Sequence, residues 1–161
     1  MSTTFNRAVE FVLRFEGDLS DDPKDSGGLT KFGISKKAYP DLDIRNLSRK
    51  DAIEIYRRDY WNKCKCNELP APLALILFDS AVNQGPASAI RLLQKSLEVR
   101  ADGVMGPETI AAAFRASLRI VVPEFIARRA YQYSLHPDVT RFGLGWMRRL
   151  AACYQVSQEP L

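Results

Sequence analysis

Apolar residues along this chain recur at intervals of three and four, and almost never in strict alternation. Phe5, Ala8, Val9 and Val12 fall at i, i+3, i+4 and i+7, with Glu16 on the same line at i+11. The first segment therefore predicts a helix with one apolar face, capped by Thr3 or Thr4 and stopped by Gly17. From Asp18 to Gly33 the density of Asp, Gly and Pro excludes continued helix and leaves room for a short hairpin over Leu29 to Ile34. Ser35 predicts the cap of a brief helix through Lys36, Lys37, Ala38 and Tyr39, ended by Pro40. Ser48 and Asp51 form a capping-box pattern ahead of Ala52, Ile53, Tyr56 and Tyr60. Pro70 and Pro72 introduce the most apolar helix, with Leu73, Ile76, Leu77 and Ser80 on a buried face and Asp79 and Asn83 as an i, i+4 polar pair. Further helices open at Pro86, Pro107 (running to about Leu118) and Pro123, and a last one spans roughly Leu144 to Val156. Seven or eight helices and at most one hairpin predict an all-α or α-dominated fold.

Size and composition narrow this further. With 161 residues, 46% of them hydrophobic, residues 1–161 fit a single domain with a real core. Within it, residues 1–86 hold the candidate chemistry and residues 87–161 form a helical part. The longest apolar run, Leu73 to Phe78, is bounded by Pro72 and Asp79 and is too short to cross a membrane. The N-terminus lacks the basic start and apolar core of a signal peptide, so the chain is expected to be left in the cytoplasm after synthesis. A monomer is expected.

A net charge of +4 and a pI near 9.0 suit a polyanionic partner such as nucleic acid or a bacterial cell wall. No run of five basic residues occurs, and Arg128-Arg129 and Arg148-Arg149 read as solvated helix faces, so nucleic acid is not the expected partner. Cys64, Cys66 and Cys153 are odd in number, with two too close for an ordinary bridge, and read as reduced thiols. Together with the single His136 they match no zinc spacing, and no metal is expected. Asp18, Ser20 and Asp22 alternate as in a calcium loop, but Pro23 and Leu29 stand where such a loop needs glycine and a bidentate glutamate.

Glu16 is the anomaly in the first stripe. A carboxylate on an apolar face, beside the negative end of its own helix, is expected to favour the protonated form. An acid of that kind can protonate the leaving oxygen of a glycosidic bond, whose cleavage also needs an anionic partner to place water or stabilise the sugar cation. Asp25, in a polar turn before Gly27 and Gly28, suits the second role; the divergence of two carboxylates by environment follows the pattern that the lysozymes exemplify. Thr30 can orient water through its hydroxyl. Tyr56, Tyr60 and Trp61 fit core positions, with stacking on sugar rings as the sharper alternative. Asp79 and Asn83 fit either a structural hydrogen-bond pair or a substrate-facing role.

The segment EGDLSDDPKDSGGLTKFGIS, with Glu16, Asp25, Gly27, Gly28, Thr30 and Gly33 in place, resembles the N-acetylmuramidases of glycoside hydrolase family 108, which include phage endolysins and secretion-linked bacterial muramidases. Asp18, Leu19 and Phe32 depart from that pattern. Tyr60-Trp61, Asp79 with Val82 to Gly85, and Gly145-Trp146 with Arg149 are similar to later landmarks of the family, and LLQKSLEVRADGVMGPET resembles its peptidoglycan-binding segment. The resemblance implies a lysozyme-like helical domain acting on bacterial peptidoglycan without a cofactor. It implies Glu16 as general acid, Asp25 and Thr30 as its catalytic companions, and Tyr60, Asp79 and Asn83 as substrate contacts. It also implies delivery to the cell wall through a holin or a dedicated secretion pathway. The rival expectation is a non-catalytic wall-binding or secretion-accessory protein in which Glu16 and Asp25 only bond loop amides.

Overall fold

The computed structural model describes residues 3–17, 19–20 and 28–160. Among the described residues seven α-helices, α1 (Thr3–Glu16), α2 (Arg49–Tyr56), α3 (Ala71–Gln84), α4 (Pro86–Ser96), α5 (Pro107–Arg115), α6 (Leu118–Ser134) and α7 (Val139–Gln158), carry almost all the regular structure. The sheet among the described residues is the pair β1 (Thr30–Lys31) and β2 (Ile34–Ser35). The fold is thus α-dominated with one small hairpin, as the periodicity predicts.

The fold is organised around α3. Leu73 through Ala81 are all buried, and α1, α4, α6 and α7 pack around them. A helix apolar on every side is stable only when enclosed in this way. Asp79 is the single charged residue in that buried run. Gly85, at φ +82°, separates α3 from α4 and serves both, its N–H reaching the Ala81 carbonyl while its own carbonyl accepts from Ala89.

The aromatic alternative left open by the sequence resolves by position. Tyr56 and Trp61 are 1% and 0% exposed, and Trp61, Phe5 and Phe78 meet edge to face at 5.2–6.0 Å. Beyond α2 the chain widens into a π turn over Arg57–Trp61, which returns Trp61, five residues on, to the face that Tyr56 occupies. Tyr60 stays half-buried at the margin.

Three boundaries differ from the sequence reading. Lys36 to Tyr39 form one isolated turn, closed by the Tyr39 N–H on the Ser35 carbonyl at 3.0 Å, because Pro40 prevents propagation. The helix opening at Pro107 stops at Arg115, and α6 starts at Leu118, so Pro123 lies inside it. A proline in the second turn loses the bond from its own nitrogen and crowds the preceding turn, and Val121, Val122 and Phe125 bury their side chains around it. α7 starts at Val139, five residues before the expected Leu144, because Gly143 and Gly145 weaken the local helical signal without breaking the helix.

The Asp102-Gly103 turn is held by one residue of α4. Buried Gln94 donates through Nε2 to Asp102 Oδ1 at 2.8 Å, the Val104 carbonyl at 3.0 Å and Thr109 Oγ1 at 3.1 Å, and its Oε1 accepts from the Gly103 N–H at 2.8 Å. Gln94→Leu keeps the volume but strips these partners, and should lower the free energy of urea unfolding by about 2 kcal/mol with an unchanged m-value. A loss under ~0.5 kcal/mol would show that water replaces the clamp.

Candidate active site

Glu16 is the last residue of α1, and Gly17 takes the left-handed conformation at φ +69° that commonly ends a helix. Its side chain is 22% exposed. The β1–β2 turn presses against its stem. Gly33, at φ +77°, follows Phe32 at φ +52°, a pair of positive values suited to a two-residue hairpin turn. A Cβ on Gly33 would lie 2.4 Å from Tyr56 Oη, 2.8 Å from Glu16 Cγ and 2.9 Å from Glu16 Cβ. Only glycine therefore lets the hairpin sit against the acid. Tyr56 completes this wall by donating its hydroxyl to the Phe32 carbonyl at 2.7 Å. Burial, reinforced by the charge of Glu16, pushes the Tyr56 hydroxyl well above its ordinary pKa, so it remains a donor.

The surroundings of Glu16 differ from those its apolar stripe implies. Arg149 of α7 donates from Nη1 to Glu16 Oε1 at 2.6 Å and from Nε to Asp79 Oδ1 at 2.9 Å. Its Nη2 lies 2.7 Å from that same Asp79 oxygen but outside hydrogen-bond geometry, a coulombic contact alone. Arg129 of α6 donates from Nη1 to Asp79 Oδ2 at 2.5 Å. Two of the four arginines that read as solvated are therefore buried, Arg129 at 0% and Arg149 at 8% exposure. Each pairs with a carboxylate on another helix, which no periodicity within α6 or α7 can show. Burial pushes the Asp79 carboxyl up, but Arg129 and Arg149 outweigh it and hold it below the ordinary carboxylate range. Burial likewise works against the charge of Arg149, and Asp79 followed by Glu16 reverses it, keeping this guanidinium ionised.

The expected site residues have different surroundings. Asp25 lies outside the described residues. Thr30 stands on β1, its backbone paired with Ser20 and its Oγ1 donating to the Gly28 carbonyl at 3.0 Å. Tyr60 packs on Tyr56 with ring centroids 5.7 Å apart, beside Tyr39, whose hydroxyl donates to Asp59 Oδ2 at 2.9 Å. Burial, with Asp59 and Glu16 as nearby negative charges, pushes the Tyr60 hydroxyl up. Beside it a groove of about 300 Å³ is lined by Tyr39, Asp59, Tyr60, Lys63 and Pro86. Asp79 is 1% exposed and both its carboxylate oxygens are taken by arginines of α6 and α7, the structural hydrogen-bonding role that the sequence left open beside a substrate-facing one. Asn83 is exposed and donates to the Asp79 backbone carbonyl at 2.9 Å, so the i, i+4 pair runs through the main chain. Arg149 and Tyr56 are the neighbours of the acid that spacing alone does not assign, and Arg129 joins them through Asp79.

The model of the Glycosyl hydrolase 108 family matches residues 9–85, which include Glu16, the hairpin and α3. The solved structure of Brucella abortus SagA is similar at 32% identity and a TM-score of 0.87, with 96% of this chain and 93% of that chain covered. None of the curated proteins matches the sequence. The chain belongs to glycosyl hydrolase family 108, and at that level it is a glycoside hydrolase with a peptidoglycan-hydrolase role.

Two outcomes follow from the site. Because the folded Asp79 pKa is depressed, its stabilisation is complete above the unfolded value of about 4 and is lost as pH falls through the lower folded value. Asp79→Asn should flatten that acid limb in stability measured from pH 2 to 7, and should destabilise at pH 7 by about 3–5 kcal/mol because buried Arg129 loses its carboxylate and Arg149 keeps Glu16 alone. An acid limb identical to the parent's would remove Asp79 from this role. Separately, Gly33→Ala should cut hydrolytic rate at least about tenfold by displacing Glu16, with helical circular dichroism retained. An unchanged rate would mean that the hairpin does not position the acid.

Proposed function

We propose that the protein is a lysozyme-type N-acetylmuramidase that cleaves the β-1,4 bond between N-acetylmuramic acid and N-acetylglucosamine in peptidoglycan, with Glu16 as general acid. The observation that carries this reading is the one-sided hold on Glu16. Arg149 fixes Oε1 at 2.6 Å while the Glu16 side chain keeps 22% of its surface exposed, so the acid is oriented yet still open to a ligand. A carboxyl group placed in this way is oriented before substrate arrives.

In the proposed reaction the Oε2 proton passes to the bridging oxygen as the bond from the muramic acid C1 breaks. The electron pair stays with the departing N-acetylglucosamine hydroxyl, and the carboxylate formed on Glu16 remains paired with Arg149. Water then adds to C1 and gives up its proton, with Asp25 as acceptor or as the anion beside the sugar cation, and Thr30 placing the water. Those two assignments rest on spacing and family resemblance. The groove beside Tyr60 and the exposed Asn83 are the proposed glycan contacts. The enzyme would act on the cell wall in phage lysis or bacterial protein secretion, after release through a holin or a secretion pathway.

Glu16→Gln preserves the shape of the side chain but cannot donate the proton. It should lower release of reducing ends from peptidoglycan by about 10²–10⁴-fold while wall binding persists. Wild-type turnover in this variant would rule out Glu16 as the acid. Mass spectrometry of the products should find reducing muramic acid ends, whereas anhydro ends would identify a lytic transglycosylase.

A further inference from the structure

An aromatic stripe on α7 continues past the arginine that holds Glu16. Phe142, Trp146, Arg149 and Cys153 fall at i, i+4, i+7 and i+11 on one helical face. Exposure along it rises from 0% at Cys153 and 8% at Arg149, through half-buried Trp146, to 44% at Phe142. The face thus leaves the core where the guanidinium meets the acid.

Trp146 is held in place. The Tyr133 ring lies 5.2 Å from it at 32°, His136 meets it edge-on at 5.1 Å, and Phe142 sits 6.1 Å away. The Tyr133 hydroxyl in turn accepts from Arg129 Nε at 3.2 Å and Nη2 at 2.9 Å. Arg129 therefore links this ring cluster to Asp79, and through Arg149 to Glu16. The outer ring, Phe142, is engaged by the Arg141 guanidinium 4.7 Å from its centroid, and Trp146 is the half-buried ring between it and Arg149 on this face.

Gly145 supplies an independent observation. It lies on the same face, three residues after Phe142 and four before Arg149, and a Cβ there would meet no atom within 4 Å. Glycine weakens a helix relative to alanine, so neither packing nor helix stability explains it. A bare backbone between an aromatic ring and the acid's partner suits the close approach of a bulky ligand. The apolar face of a pyranose matches an indole, whose N–H can still serve a polar substituent.

Resting on the reading of Glu16 as the acid of a glycan hydrolase, we propose that Trp146 and Gly145 form a subsite for one N-acetylhexosamine ring of the glycan chain, one helical turn from Arg149. The chain has two tryptophans, and Trp61 is 0% exposed, so a quencher in solution reports on Trp146. In the full-length Glu16→Gln protein, titration with soluble peptidoglycan strands freed of their peptides should shift the tryptophan emission and protect it from acrylamide. By calorimetry, Trp146→Leu should weaken binding of those strands about three- to tenfold, the range expected for one lost aromatic contact. Trp146→Phe, which retains a ring against Tyr133, should lie between. Gly145→Leu should weaken binding while leaving the thermal midpoint at or above the parent value.

Emission and quenching unchanged at saturating glycan would overturn the subsite, as would parental affinity in folded Trp146→Phe and Trp146→Leu. Glycan binding that depends on Trp146, in a protein whose Glu16→Gln form still hydrolyses peptidoglycan, would sustain the subsite and overturn the acid assignment alone.

Discussion

A single carboxylate sits in the middle of the most apolar helix, and much of the structure answers to it. Asp79 occupies α3 at 1% exposure, where an uncompensated charge would cost several kcal/mol. Arg129 from α6 and Arg149 from α7 supply that compensation, each taking one of its oxygens. Because both guanidinium groups are themselves buried, the three helices have to pack in a register that brings all three charges together. Replacing such a cluster by apolar residues of similar volume is often neutral for stability. Its value here lies in what it positions.

That value appears at the far side of Arg149, where Nη1 meets Glu16 at 2.6 Å. The end of α1 is therefore tied to α7 through a guanidinium already fixed by α3. Against the other side of Glu16 lie Gly33 and Tyr56, which confine the stem of the side chain. One carboxylate oxygen is held while the group keeps 22% of its surface open. Rigid helices thus impose on a terminal residue the orientation that a proton donor needs. The same ionic chain reaches Tyr133 through Arg129 and so supports the rings around Trp146.

Much of this protein is set locally and is legible in the sequence. The apolar stripe of α1, the Ser48–Asp51 capping box and the proline starts of α3, α4 and α5 depend on residues a few positions apart, and each appears where those residues place it. The turn at Phe32-Gly33 follows from the glycine, and Glu16 stands out as a carboxylate because the rest of its stripe is apolar. These are short-range consequences of helical spacing and backbone stereochemistry. Tertiary structure decided which charges are inside. Arg128-Arg129 and Arg148-Arg149 look alike as pairs, yet the second member of each is buried because Asp79, 50 and 70 residues away in sequence, lies opposite it. The partner of Glu16 is 133 residues distant. Helical period gives the face on which a side chain lies, whereas the group that face meets is fixed by how α1, α3, α6 and α7 assemble.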